Sequence, residues 1–334
     1  MRHFYKLLLT TAILLYLNNA NAQRADTKKM LRVYEENDFL NVDGHGTDRS
    51  YSNGTRLDFY YEKQKSRGLL HKLMPKAGDS GRNVYGWSLM QIMVTPNNIT
   101  ATAFLPNDYR YAGALFVTHS LYSYNAKKKY GFQTELLAGV RGPGSFAEQT
   151  QKAIHKLINY QKPMGWDNQL KTDPLINIRF CAEKNLFSIN DFIELNAGSQ
   201  LRVGSFMDMI TLYPMLRIGK FSPYFNGYLD QYGSYTKNGK QIKTQYYLVI
   251  KPSVSFVAYD AILQGERRNV GTDAYEYKSN QEGPKISNHI MDWQCGAVVA
   301  HGNFAFSYLQ TTTTAYTEGL YQHSFGTLSL YFRW

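Results

Sequence analysis

The sequence predicts an all-β protein, a transmembrane antiparallel β-barrel of about 12 strands with a short helix in an extracellular loop. Apolar and polar residues alternate with period two in segments of about ten residues, as expected for strands with one face in lipid. Beyond residue 22 no apolar run reaches the roughly 18 residues that a membrane-spanning helix needs. Only helices and closed barrels satisfy every backbone polar group in hydrocarbon, so the barrel remains.

The first 22 residues have the composition of a secretory signal peptide. Arg2 and Lys6 precede the apolar run LLLTTAILLYL, and the stretch ends in Ala20-Asn21-Ala22, an A-x-A cleavage site. We expect residues 1–22 to be removed and residues 23–334 to form one barrel domain, because no linker rich in proline or serine divides them. The predicted location is the bacterial outer membrane.

The charge of the chain is basic. The formal net charge of +11 becomes +9 when Arg2 and Lys6 are removed. A basic exported protein favours an anionic partner such as a lipid head group or lipopolysaccharide phosphate, whereas nucleic acid is not expected. The sequence indicates no obligate protein partner. Cys181 and Cys295 fall on opposite faces of their predicted strands, which argues against a disulfide.

The C-terminus has the alternation of the last strand of an outer-membrane barrel. Leu328, Leu330 and Phe332 alternate with polar residues up to the terminal Trp334. An even number of strands returns both termini to the periplasm. The predicted strands are 29–38, 51–63, 83–95, 111–125, 129–141, 172–185, 188–201, 208–219, 245–262, 287–300, 303–314 and 323–334. The loops around 39–50, 96–110, 142–171, 202–207, 263–286 and 315–322 then face outside, and 64–82 and 220–244 are periplasmic.

The loop 142–171 contains the predicted helix. Residues Ser145 to Glu148 match a capping box, and Pro163 prevents continuation. An apolar stripe is expected to pack against the rim of the barrel, leaving His155 aimed sideways from a neighbouring polar stripe with Gln151. The apolar stripe consists of Ile154, Leu157, Ile158 and Gln161.

Candidate chemical groups converge on the outer side of this topology. Asn37 and Asp38 end the first strand, and Ser52 lies at the start of the second. Carboxylate and amide oxygens suit calcium, although the same residues are ordinary in turns. His155 is a candidate base for a water molecule or for Ser52, and a lone surface histidine is the plainer interpretation. The spacing of His45 to other histidines fits no standard zinc site. The sequence also has no GxSxG elbow, HExxH motif or glycine-rich phosphate loop.

Several ordered segments resemble the outer-membrane lipid A 3'-O-deacylase family, over nearly the whole chain after the signal peptide. The most specific similarities lie between residues 34 and 169. They are Tyr34-Glu35-Glu36-Asn37-Asp38, Asp48-Arg49-Ser50-Tyr51-Ser52-Asn53-Gly54, Ser88-Leu89-Met90-Gln91 with Thr95-Pro96, Tyr111-Ala112-Gly113, the loop helix, and Lys162-Pro163-Met164-Gly165-Trp166-Asp167-Asn168-Gln169.

This resemblance implies a twelve-stranded barrel that hydrolyses the ester of the 3'-acyloxyacyl group of lipid A in the outer leaflet, with calcium. Asn37 and Asp38 match the family's cation-binding pair, His155 its catalytic base, and Gln151 a glutamine of the same helix. Ser52 replaces a threonine, so either Ser52 or water remains open as the attacking group. The alternatives are an outer-membrane phospholipase A-like hydrolase and a non-enzymatic barrel or porin.

Overall fold

The computed structural model describes residues 28–42, 48–63, 69–190, 192–265, 267 and 285–334. Within these residues, twelve antiparallel strands close into a barrel in the order β1-β14-β13-β12-β11-β8-β7-β6-β5-β4-β3-β2, and β9 and β10 form a separate hairpin. The strands are β1 Lys29–Asn37, β2 Ser50–Glu62, β3 Arg82–Thr95, β4 Ala112–Asn125, β5 Tyr130–Arg141, β6 Asp173–Ile189, β7 Ile193–Gly204, β8 Met207–Lys220, β9 Tyr235–Lys237, β10 Lys240–Ile242, β11 Thr244–Asp260, β12 His289–His301, β13 Phe304–Thr313 and β14 His323–Arg333. The helices are α1 Leu69–Leu73, α2 Ala147–Ile158 and α3 Ala261–Gln264.

The predicted barrel and its twelve strands are confirmed. Most strand ends shift by one or two residues, but β6 extends four residues beyond its predicted end and β7 begins five residues after its predicted start. On β11, Leu248 and Phe256 are exposed on the outer face, whereas Lys251 and Ser255 line the interior. The terminal strand follows the same rule, with Leu330 outside and Tyr331 inside. Successive side chains of a strand point to opposite faces, and a wide apolar band on the outside is what lipid requires.

The first and last strands of the barrel meet with their outer ends, near Lys29 and Trp334, at one end of the barrel, as the even strand number predicts. The amide of Lys29 donates to the carbonyl of Trp334 at 2.9 Å. We call this end periplasmic and the opposite end external. No helix in the described ranges is long and apolar enough to span a membrane. The signal peptide predicted at residues 1–22 lies outside the described residues, as does His45.

Residues 221–242, predicted to be a long periplasmic turn, fold into the periplasmic end of the barrel. We call them the periplasmic plug. Tyr224, Phe225, Tyr228 and Leu229 are buried against interior side chains such as Tyr60. The periplasmic location predicted for 220–244 agrees with this position, but packing inside the barrel was not expected from the sequence. Its physical reason is the aromatic content of the segment, which is more stable packed inside than exposed to water.

Asp230 fixes the plug to the barrel. Its carboxylate accepts from Lys28 at 3.0 Å and from Arg333 at 3.4 Å, and it also pairs with Arg82. Lys28 precedes the first barrel strand, Arg82 begins the third and Arg333 ends the last. One acid therefore links the plug to strands on both sides of the contact between the first and last strands.

The interior above the plug is lined by both polar and apolar side chains. A cavity of about 640 Å³ remains. Asp58 accepts from Arg32 at 2.7 Å and from Arg56 at 2.7 Å, and Arg56 also donates to Glu135 at 2.7 Å. We call Arg32, Arg56, Asp58 and Glu135 the luminal ion cluster.

The two cysteines are free. Cys181 is buried in the interior, and Cys295 is exposed on the outside. Their opposite faces confirm the expectation of no disulfide.

Candidate active site on the outer face of the barrel

The helix α2 lies against the outer face of the barrel near its external end. On β3, Trp87 and Leu89 are exposed on the outer face, and Gln91 and Met93 continue the same face by alternation. The side-chain amide of Gln91 donates to the carbonyl of Ser145 at 2.7 Å. Met93 packs in a cluster of buried residues with Ile99, Tyr111, Ala147 and Trp166.

Gly113 of β4 permits this close approach. A Cβ atom at Gly113 would lie 2.2 Å from Cβ of Ala147 and 2.5 Å from Oγ of Ser145. Contacts that short do not occur between real atoms, so any larger residue would push the start of α2 away from the barrel. The absence of a side chain at Gly113 is therefore part of the site.

The predicted capping box is wrong. Residues Pro143–Ser145 form a 3-10 turn, and Phe146 is the N-cap of α2 in the left-handed conformation, with φ 59° and no side-chain cap. Glu148 instead pairs with Lys152. Gln91 holds the Ser145 carbonyl in the turn that precedes the helix. The helix ends at Ile158, because Asn159 is left-handed.

The orientation of α2 is also opposite to the prediction. Ala147, Gln151 and His155 are buried against the barrel, whereas Ile154, Leu157 and Ile158 are exposed. The expected packing of the apolar stripe assumed water outside the helix. At the level of a membrane leaflet the surroundings are apolar, so the helix can present its apolar residues outward and bury its polar ones.

Both ring nitrogens of His155 have partners. Nε2 lies 3.2 Å from a carboxylate oxygen of Asp48, and Nδ1 lies 2.5 Å from the carbonyl oxygen of Gln161. The ring of Tyr160 meets that of His155 edge to face, with 5.2 Å between centroids. Burial alone would lower the pKa of His155, but the hydrogen bonds to Asp48 and Gln161 raise it above its usual value.

Asp38 is a buried acid near Asp48, the carboxylate that contacts His155. It is 1% exposed, and its carboxylate accepts from the backbone amide of Arg49 at 3.1 Å. Burial, together with the nearby carboxylate of Asp48, raises the pKa of Asp38 well above its usual value. Asn37 uses its side-chain oxygen to cap the following turn, accepting from Phe39 at 2.8 Å.

Gln151 carries an unused donor. Its oxygen accepts from the indole nitrogen of Trp166 at 2.7 Å, which fixes the orientation of the amide. Its nitrogen is buried without a hydrogen-bond partner. A buried donor left unpaired is costly unless a ligand completes it, so this nitrogen is a candidate contact for a substrate oxygen.

Ser52 is fully buried at a bulge in β2, and its hydroxyl faces the carbonyl of Met93 at 3.4 Å. The structure therefore brings Asp38, Gln151 and His155 to one place with Asp48, while Ser52 makes no hydrogen bond to His155. We call Asp38, Asp48, Gln151 and His155 the outer-face cluster.

Sequence reasoning did not assign a role to Asp48 or to the Gln161 carbonyl. Asp48 lies in a loop, where no periodicity indicates a direction for its side chain. Gln161 acts through its backbone, and a backbone contact leaves no trace in residue type. Trp166, which orients Gln151, was noted only as part of a motif.

The side-chain oxygens of the outer-face cluster provide only some of the ligands that a hard cation such as calcium needs. Asp38 and Asp48 offer two neighbouring carboxylates whose mutual repulsion a cation would relieve. Among the described residues, no group of three or more His, Cys, Asp or Glu side chains is arranged to hold a metal. The remaining ligands of a calcium ion would have to be carbonyl oxygens, amide oxygens or water.

Comparison with known proteins identifies relatives of the whole chain. The family model described as "Outer membrane protein LpxR" matches residues 7–334. No curated protein sequence gives a significant match. LpxR from Salmonella typhimurium is similar in structure, with a TM-score of 0.68 and 15% sequence identity over 91% of this chain and 99% of that one. At that identity the likeness shows the fold.

Two autotransporter barrels are weaker matches. The β domain of Bordetella BrkA has a TM-score of 0.44 and 10% identity, over 93% of this chain and 99% of that one. The translocator domain of NalP from Neisseria meningitidis has a TM-score of 0.43 and 8% identity, over 99% of this chain and 95% of that one. Such scores carry no argument about function.

Proposed function

The chain belongs to the LpxR family of outer membrane proteins, and we propose that it hydrolyses the 3'-O-linked acyloxyacyl ester of lipid A with His155 as general base. Family membership supports lipid A deacylation in the outer membrane. The ester position, the base and a calcium requirement are our proposal. The observation that carries it is the contact of His155 Nε2 with Asp48 on the outer face of the barrel.

The contacts of His155 assign its two nitrogens. A carbonyl oxygen can only accept, so the contact with Gln161 requires that Nδ1 carry the proton. Nε2 is then the nitrogen that exchanges protons. A carboxylate also only accepts, so Nε2 carries a proton while it contacts Asp48, and to act as the base it must exchange that contact for one with water. Nε2 then takes a proton from the water as the water attacks the ester carbonyl, the bond from the acyl carbon to the sugar oxygen breaks, and the proton passes to that leaving oxygen. Asp48 stabilises the imidazolium between the two proton transfers.

Gln151 supports the same step from one helical turn earlier. The free side-chain nitrogen of Gln151 is oriented by Trp166 and is buried on the same face of α2 as His155. A fixed donor of this kind stabilises the negative charge that develops on the ester oxygen. We assign it that role.

Water is the attacking group that the contacts favour. A serine nucleophile is normally hydrogen-bonded to its base, although apo structures can show loose geometry. Ser52 faces the Met93 carbonyl, and the His155 nitrogens face Asp48 and Gln161. Ser52 is better described as a buried residue that shapes the bulge beside the site.

Calcium is the cation we propose, held by Asp38 with Asp48 and with the side chain of Asn37 as a further oxygen donor. When bound it would polarise the ester carbonyl and offset the charge of the two carboxylates. The raised pKa of Asp38 supports this assignment, because a buried acid beside another acid is stabilised by a cation.

The position of the cluster suits a lipid substrate. The ester of lipid A lies at the outer leaflet, so the catalytic groups must be reached from the lipid side and not from the barrel interior. Leu157, 65% exposed, and its neighbours Ile154 and Ile158 present an apolar surface there. Acyl chains can lie against that surface while the head group faces the outer-face cluster.

Mass spectrometry of lipid A incubated with the purified barrel tests the proposal. We expect a product lacking the 3'-acyloxyacyl group, with activity lost in chelator and restored by calcium. A lysophospholipid product from glycerophospholipid, with lipid A unchanged, would support the phospholipase alternative. Full activity in chelator would refute the calcium assignment and leave the ester specificity standing.

A further inference from the structure

The outer face of β1–β3 carries a row of polar side chains just below the outer-face cluster. Glu35 pairs with Thr55 in register, and Thr55 pairs with Gln91. All three point outward, because their neighbours Tyr34, Glu36 and Arg56 line the interior. We call Glu35, Thr55 and Gln91 the polar row.

The outer surface around this row is apolar. Along the same row of paired residues, Glu35 is flanked by Leu328 on β14, and Gln91 by Leu115 on β4. The next outward residues toward the periplasm are Val33, Leu57 and Leu89, which are between 45% and 50% exposed. The polar row is thus an interruption of the lipid-facing band confined to three strands.

The members of the polar row differ in the hydrogen-bonding capacity that remains unused. Gln91 donates to the Ser145 carbonyl and so supports α2. The carboxylate of Glu35 accepts from the Thr55 hydroxyl at 2.6 Å and from the side-chain amide of Asn53. Each carboxylate oxygen has two lone pairs, so one bond to each still leaves acceptor capacity. Glu35 is half-buried and Thr55 is exposed.

A carboxylate on the lipid-facing side of a barrel is costly, and such residues are functional by default. Gln91 is the member of the row that supports another element, α2, whereas the side-chain partners of Glu35 are Asn53 and Thr55 on the neighbouring strand. The position of Glu35 suggests a role beside the outer-face cluster, because Glu35 is three residues from Asp38 on the same strand margin.

We propose that Glu35, oriented by Asn53 and Thr55, binds a hydroxyl or amide N–H of the sugar that carries the cleaved ester. This inference rests on the proposed function, since it places a sugar head group beside the outer-face cluster. A carboxylate accepts hydrogen bonds from neutral donors and repels phosphate. Glu35 therefore selects the hydrogen-bonding face of the sugar and holds the ester near His155.

Binding and turnover must be measured separately. Lipid A binding is measured in a His155→Ala background, with Glu35→Gln, Glu35→Val and Thr55→Val added, and kcat and KM are measured in the otherwise wild-type chain. Thr312→Val is the matched control, because Thr312 bonds Ser324 at 2.9 Å on the outer face of β13 and β14. Heat-modifiability on gels confirms that each barrel is folded.

We expect Glu35→Val to weaken lipid A binding about tenfold or more, as expected for loss of a hydrogen bond to a charged group. The effect should appear in KM with kcat little changed, and Glu35→Gln and Thr55→Val should show a smaller loss. Thr312→Val should bind like the background protein. Phosphatidylcholine, whose head group has neither a sugar nor an N–H or O–H donor, should bind equally to all variants.

Unchanged lipid A binding in both Glu35 variants would overturn the proposal. A loss seen only with phosphate-bearing lipid A and only with divalent cation would also overturn it, since the contact would then be a bridged phosphate. Failure of the proposed function would give a different result. The wild-type chain would then release no acyl group from lipid A, and the comparison of lipid A binding among the variants would still be valid.

Discussion

Two buried aspartates, Asp58 inside the barrel and Asp38 on its outer face, occupy opposite electrostatic situations. Asp58 accepts from two arginines, Arg32 and Arg56, and also from Tyr60 and Ser88. Asp38 accepts from backbone amides and lies near a second carboxylate. Arg49, whose amide bonds Asp38, places its guanidinium over the ring of Tyr321, 4.7 Å from the centroid.

The difference separates charges that hold the fold from charges that await a ligand. A buried acid with all of its acceptor sites filled by cations and hydroxyls adds order to the interior. A buried acid that faces another acid raises the free energy of the folded chain unless something binds. The same residue type therefore has a structural role in the luminal ion cluster and, under the proposed function, a ligand-binding one in the outer-face cluster.

Asp58→Asn should have the largest effect on stability. It leaves Arg32 and Arg56 without their shared carboxylate, and breaking a buried ion pair costs about 3 kcal/mol or more. Denaturant unfolding of the refolded barrel measures the loss. Activity per folded molecule should stay near that of the wild type, and an unchanged unfolding midpoint would show that the luminal ion cluster is not structural.

Gly113→Val should lower activity without unfolding the barrel. The added side chain would overlap Ala147 and Ser145, which displaces α2 and with it His155 and Gln151. A small misplacement of catalytic groups costs on the order of a hundredfold in rate. Gly302→Val, at a turn with open space around it, serves as a check on the general cost of replacing glycine, although its positive φ adds local strain. Normal activity of Gly113→Val would contradict the placement of α2.

Asp38→Asn should stabilise the barrel at neutral pH without divalent cations. The pKa of Asp38 in the folded chain is above its ordinary value of 3.8, so the folded state binds the proton more tightly than the unfolded state. The contribution of Asp38 to stability therefore increases as pH falls from the raised pKa toward the ordinary one. Thermal unfolding at several pH values in chelator should show this increase in the wild type and its absence in Asp38→Asn.

The effect of calcium on the unfolding temperature tests the same carboxylate. Calcium should raise the unfolding temperature of the wild type and leave that of Asp38→Asn unchanged, because a ligand that binds only the folded state stabilises it. Equal stabilisation of both proteins would place the cation elsewhere.

The regular part of the fold was predictable because the lipid and the interior impose opposite demands on alternate residues. That alternation located β14 and β11 and gave the number of barrel strands. The periplasmic plug was missed because it has no periodicity, although Tyr224, Phe225 and Tyr228 were a signal that this segment is buried.

The sequence predicted residues of the candidate site only where a side chain, and not the backbone, makes the contact. Gln151 and His155, both named from the sequence, share the buried face of α2, and Asp38 and His155 each lie near Asp48. The predicted orientation of α2 was wrong because Gln151 and His155, and not the apolar stripe, are buried against the barrel. Asp48 was not assigned because a loop residue has no periodic neighbours to indicate its direction.

The most direct test compares Asp48→Asn with Asp58→Asn by the initial rate of lipid A deacylation per folded molecule. Asp48 contacts His155 at 3.2 Å on the outer face, whereas Asp58 lies in the luminal ion cluster. We predict that Asp48→Asn loses at least about tenfold in rate, since the imidazolium loses its partner carboxylate, and that Asp58→Asn keeps the wild-type rate. The reverse order, with Asp48→Asn fully active and Asp58→Asn inactive, would place the chemistry inside the barrel and contradict the account.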